Sequence, residues 1–305
     1  MCSYSRYLIF RHTGKKKHLL RILHAEYKNL YEGIRPVPFE PDEQCHIDHI
    51  YVDGGIAFLV PGAGRKGHGA WRQLKSRHDI FSNNLPGLSV CIMDGEFGYG
   101  KSILTVKLVH DWCTRESDSP LKDVEIVLLF QMRKVHSPAS ITEAMKQYLL
   151  PENCSLSEED LDTIVSTAKS CVVILDGLDE YPHFRTDKDS EIMQLISREN
   201  FKNVTKVLVT SRFAETRLID SKRMRLTGFD NSAWIDYTSK CYKDKPQVTK
   251  GMIAYLEENP ELCESLSSSI VLFNICTYFL CQTNFALLPA YYRNFEKCNY
   301  EFSKS

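Results

Sequence analysis

From Leu88 onward the chain alternates short apolar runs with stretches in which apolar residues recur every three or four positions. Strand-length runs lie at Ser89–Met93, Val124–Phe130, Cys171–Leu175 and Lys206–Thr210. They are continuous rather than alternating, as befits parallel strands covered on both faces. Between them come helical patterns. Ile103–Cys113 is one, and Glu158–Ala168 is another, introduced by Ser157 with Asp160 three residues on, the signature of a capping box, and carrying Leu161, Ile164, Val165 and Ala168 on one face. Strands alternating with helices predict an α/β domain with a doubly wound parallel sheet flanked by helices. After Phe229 the strand signals stop, and Ser232–Tyr242, Gln247–Glu258 and Leu262–Leu280 predict a small all-α helical domain.

The stretch before Leu88 is less regular. Leu19, Leu20, Ile22, Leu23, Tyr27 and Leu30 predict a helix over His18–Tyr31, and Pro36, Pro38 and Pro41 then mark an extended connector. His49–Val52 and Ala57–Val60 read as short strands and Gly62–Gly69 as a loop. The expected organisation is a helix and lead-in over 1–88, the α/β domain over 89–229, and a helical domain, incomplete at its C-terminus, over 230–305.

Composition narrows the classes. At 305 residues the chain is long enough to bury a core without staples, and 25% charged residues match the globular average. A net charge of −1 argues against a protein built to grip nucleic acid. Eleven cysteines, scattered and without a CxxC pair, read as reduced thiols rather than a disulfide framework or zinc knuckle. No secretory signal is seen at Tyr7–Phe10, and the longest apolar stretch, Ile270–Cys281, is shorter than a membrane span. The expected location is the cytoplasm.

The sharpest chemistry lies at Gly95-Glu96-Phe97-Gly98-Tyr99-Gly100-Lys101-Ser102, followed by Ile103. A strand enters this Gly-x4-Gly-Lys-Ser run and a helix leaves it. Its glycines allow backbone N–H groups to turn inward around phosphate, Lys101 suits the β- and γ-phosphates, and the Ser102 hydroxyl suits Mg²⁺. Seventy-five residues on, the buried run Val172–Leu175 ends in Asp176, a carboxylate suited to the same Mg²⁺. Asp179 and Glu180 follow, and either could orient or deprotonate an attacking water, with Glu180 preferred. Val207-Leu208-Val209-Thr210-Ser211 ends at Arg212, placed at the same sheet edge to sense the γ-phosphate.

Together GEFGYGKS, VVILDGLDE and LVTSR resemble the NACHT module of NOD-like receptors, within the signal-transduction ATPases with numerous domains. A small residue and then two acids after the Mg²⁺ aspartate, Asp176-Gly177-Leu178-Asp179-Glu180, is the most specific feature. Asp111-Trp112 and Leu226-Thr227-Gly228-Phe229 with Trp234, Ile235 and Tyr237 are similar to flanking family segments, as are Tyr31, Pro36–Pro38 and Ile47–Val52. The resemblance implies a P-loop NTPase that binds ATP or ADP with Mg²⁺, hydrolyses slowly, and self-associates through the NACHT module in innate immune-type signalling. Phe97 and Phe213 depart from the family pattern, and Leu266–Leu272 lacks its nucleotide-contacting proline, with Ser269 at about that place. The chain ends at Ser305 before the family's winged helix, so it reads as a NACHT chain truncated after the first helical domain. A small-molecule kinase is an alternative, though no arginine-rich lid is visible. A non-hydrolysing interaction module is another.

Other signals are weaker. Gly62-Ala63-Gly64-Arg65-Lys66-Gly67 matches a dinucleotide pattern without the flanking elements it requires. Cys45-His46 with His49 lacks a fourth ligand at zinc spacing and reads as packing. Seven Lys/Arg in residues 1–28, against Glu26 alone, read as a solvated helix face.

Overall fold

The computed structural model describes residues 3–35, 44–60, 69–81, 90–136, 140–184, 190–197, 204–213 and 221–258, without the side chains of 3–12, 248 and 256. The Pro36–Pro41 connector, most of the Gly62–Gly69 loop, the Leu262–Leu280 helix and Ser269 lie outside the described residues.

Seven strands form one sheet: β1 (Gly55–Val60), β2 (Ala70–Gln73), β3 (Val90–Asp94), β4 (Ile126–Gln131), β5 (Cys171–Asp176), β6 (Val204–Ser211) and β7 (Lys222–Gly228). Their order is β2-β1-β7-β3-β6-β5-β4. The four apolar runs read from the sequence are β3, β4, β5 and β6, which pair in parallel, and β7 joins β3 in parallel. β1 runs antiparallel to both β7 and β2, so the parallel sheet carries an antiparallel extension. His49–Val52, expected as a strand, is instead a 3-10 turn (Ile47–His49) and irregular chain. The His46 ring caps that turn by accepting from the Asp48 N–H at 3.2 Å.

The helices are α1 (Ser3–Glu32), α2 (Lys101–Thr114), α3 (Ile141–Tyr148), α4 (Glu158–Thr167), α5 (Glu191–Ser197), α6 (Asn231–Cys241) and α7 (Pro246–Glu258). α2 lies against β4, β5 and β6, and α1 lies on α2 and α4. Leu19, Leu23 and Tyr27 of α1, four residues apart, are buried with Trp112 of α2 in the main core. The basic run of α1 is partly committed to the rest of the domain, since Lys15 pairs with Asp160 and Lys16 with Glu125. The capping box forms as expected, with Ser157 and Asp160 each accepting from the other's backbone N–H. No helix among the described residues is long and apolar enough to cross a membrane.

Candidate functional site

The site begins where β3 delivers the chain to the C-terminal edge of the sheet. A Cβ on Gly95 would stand 3.1 Å from the Leu226 Cβ on β7, a tight approach that glycine makes without displacing its neighbour. Gly98 (φ 79°) and Gly100 (φ 85°) take the left-handed conformation that glycine adopts without strain. Phe97 is 54% exposed and leaves the loop outward, so its bulk is accommodated outside the turn. Gly100 caps α2 with no side-chain bond, leaving the first N–H groups of a fourteen-residue helix open toward the loop. Lys101 reaches back, its Nζ donating to the carbonyls of Gly95 (2.5 Å) and Glu96 (2.9 Å). Tyr99 packs against the core, and Ile103 turns aside to pack with Ile34, Ile47, Ile50, Val106 and Tyr237.

Asp176 ends β5 and is buried. The Ser102 hydroxyl favours its ionised form, and Thr210 Oγ1 donates to its Oδ1 at 2.8 Å. Thr210 in turn accepts from the Gly177 N–H at 2.8 Å, so one hydroxyl holds both the carboxylate and the turn behind it. Burial holds the Asp176 carboxyl above the usual carboxylate range, although Ser102, Thr210 and the charges of Arg133 and Lys101 favour the ionised form. A buried carboxylate with a hydroxyl beside it at the base of such a loop is a donor set that fits Mg²⁺, which prefers oxygen ligands and retains waters.

The next two acids differ. Asp179 Oδ2 accepts from Arg212 Nε at 2.5 Å, and its Oδ1 accepts from the Arg212 N–H at 3.0 Å. Burial alone would raise Asp179, but the hydrogen bonds and charge of Arg212 outweigh it and hold the carboxyl below the usual range. Glu180 is exposed, with Oε1 3.7 Å from an Arg212 nitrogen. Burial lowers the Lys101 ammonium, while Asp179, Asp176 and Glu180 favour its charged form. The fold thus brings Lys101, Ser102, Asp176, Asp179, Glu180 and Arg212 into one field and leaves Ile103 outside it. Sequence reading missed the Thr210 hydroxyl as the group that holds Asp176. It also missed Arg133, just past β4, whose strand-end position was the available signal.

A NACHT domain family model matches residues 89–245, just over half of the chain. The chain belongs to the NACHT family. Over 205 residues this NACHT chain is 24% identical to a NACHT, LRR and PYD domains-containing protein 1 homolog of Danio rerio, covering 61% of the chain and 15% of that protein. Over 147 residues it is 27% identical to an NLR family CARD domain-containing protein 4 of Bos taurus, covering 46% of the chain and 14% of that protein. The NACHT chain therefore spans about one seventh of the length of these curated relatives. A solved Walker-type ATPase of Pyrococcus abyssi aligns over 72% of each chain at 14% identity, with a TM-score of 0.41.

Proposed function

We propose that this NACHT chain is an ATP/ADP-binding switch that uses Mg²⁺ and hydrolyses ATP slowly. The observation that carries the reading is the buried strand-end carboxylate of Asp176, with the Ser102 hydroxyl favouring its ionised form, next to a loop whose Gly98 and Gly100 are left-handed. The open N–H groups at the start of α2 would take the phosphates, and Ser102 with Asp176 would hold Mg²⁺. When bound, Mg²⁺ supplies charge neutralisation at the phosphate oxygens. Lys101 would exchange two neutral carbonyl partners for anionic phosphate oxygens, a stronger charge-assisted bond. Asp179 is engaged by Arg212, which leaves the exposed Glu180 to orient or deprotonate the attacking water. Arg212 donates to Asp179 through Nε and its backbone N–H, so the acid orients the guanidinium whose terminal nitrogens would meet a γ-phosphate. The resemblance to NOD-like receptors, with a relative whose name carries the NLR family, is the ground for proposing a role in cytoplasmic, innate immune-type signalling through self-association.

Titration with labelled ATP, with and without Mg²⁺, tests the site. Lys101→Ala removes a charge-assisted contact and is expected to weaken binding by roughly 30- to 1,000-fold, or 2–4 kcal/mol. Unchanged affinity in a folded variant would falsify the assignment. Glu180→Gln is expected to retain binding and slow turnover by about 10²–10⁴.

A further inference from the structure

The 3-10 turn before β1 lies against α2, where Ile47 and Ile50 pack on Val106. This contact sets His46, Asp48 and His110 together, with one donor atom of each within 4.8 Å of the others. His110 Nε2 is 3.4 Å from Asp48 Oδ2, and His46 Nδ1 is 3.6 Å from the same oxygen. Donors around a tetrahedral zinc with bonds of about 2.0–2.2 Å stand about 3.3–3.6 Å apart.

The surroundings favour a cation at this point. His110 Nδ1 lies 3.2 Å from Oδ1 of Asp111, a wholly buried carboxylate. In the tautomer that donates Nδ1–H to Asp111, the Nε2 lone pair turns toward Asp48, the outer arrangement found around metal-bound histidines. His46 Nδ1 accepts from the Asp48 N–H in the metal-free chain, so this nitrogen is unprotonated, and a metal bound there would take the place of that bond. Lys107 Nζ serves the other oxygens, at 2.7 Å from Asp48 Oδ1 and 2.9 Å from Asp111 Oδ1, and it lies 3.3 Å from His110 Nδ1. Arg77 bridges Asp111 and Asp53, so three carboxylates meet two side-chain cations in this network. The Tyr31 ring covers both imidazoles edge-on, at 5.4 and 4.9 Å.

We propose that His46, Asp48 and His110 bind Zn²⁺, with the fourth position open to water, and so clamp the segment before β1 to α2. Two imidazoles and one carboxylate suit zinc, whereas Mg²⁺ prefers oxygen alone. His110 lies eight residues beyond Ser102, about 12 Å along α2, so this site is separate from the phosphate loop.

The test uses the full chain stripped of metal by chelation, with Zn²⁺ alone as titrant in calorimetry and Co²⁺ as spectroscopic probe. One equivalent of zinc is expected to bind and raise the melting temperature. His46→Gln and His110→Gln, each compared with its own metal-free melting temperature, are expected to lose the zinc-induced rise and to lose zinc affinity by about 100-fold or more. Lys101→Ala is expected to bind zinc as the parent does. Co²⁺ is expected to give visible d–d bands without a thiolate charge-transfer band. The proposal is overturned if no zinc binds, if both histidine variants bind it equally well, or if a sulfur-to-cobalt band shows the metal on cysteine.

Discussion

At Asp176 two demands oppose each other. Its buried position disfavours the charged form, and the same position places the carboxylate behind the phosphate loop. An acid whose folded-state pKa is raised binds its proton more tightly when folded, so its ionisation at neutral pH weakens the fold. Stability from this group therefore rises as pH falls through the raised value and levels off near the unfolded value of about 3.9. Asp176→Asn is expected to stabilise the nucleotide-free protein at pH 7 by on the order of 1 kcal/mol, or ~2–4 °C, with the gain vanishing toward pH 4. The same variant is expected to lose Mg²⁺-dependent nucleotide binding. Thermal melts at several pH values, with and without ATP, check both halves. Asp179 has the opposite sign. Its depressed carboxyl gives stability that is present above about pH 4 and lost as pH falls through the folded value, and Arg212→Ala is expected to flatten that part of the acid melting profile.

The elements show how much of the sheet depends on one helix. β4 ends the sheet, and Tyr27 of α1 meets its free edge, donating to the Val127 carbonyl and accepting from the Leu129 N–H, both at 2.9 Å. An edge strand presents unpaired backbone groups, and here a buried hydroxyl satisfies two of them. Burial drives the Tyr27 phenol well above its ordinary pKa, so it acts only as a neutral hydrogen-bonding group. Tyr27→Phe leaves a buried donor and acceptor without a partner and is expected to destabilise by about 1–3 kcal/mol. Urea unfolding should show a lower midpoint with an unchanged slope. Strands β2 and β7 escaped the sequence reading for a physical reason. β7, Lys222–Gly228, buries Met224, Leu226 and Gly228 while its arginines face outward, and β2 is a short polar edge. Arg225 pairs with Asp94 and lies over Trp71 at 4.5 Å, so its charge belongs to the sheet and not to a loop.

At the scale of the molecule, nucleotide is expected to bind through the phosphate loop, Ser102 and Asp176, with affinity on the order of micromolar and GTP within about tenfold of ATP. Nucleotide at 100 times its dissociation constant then adds about 2.7 kcal/mol of stability, roughly 5–10 °C in melting temperature. A melting titration with ATP, ADP and GTP measures this, and ADP that stays bound through purification would contradict it. The phosphate loop, the four core strands and the acids after β5 were legible because each is encoded locally. A glycine-rich turn between an apolar run and a helix specifies itself within about twenty residues, and doubly buried strands leave continuous apolar runs. Only the tertiary structure decided that β1 extends the sheet antiparallel to β7, that Tyr27 reaches β4 one hundred residues away, that Thr210 holds Asp176, and that His110 rather than His49 or Cys45 joins His46 and Asp48. Each of these depends on which distant side chain packing places opposite, and no periodicity along the chain records that.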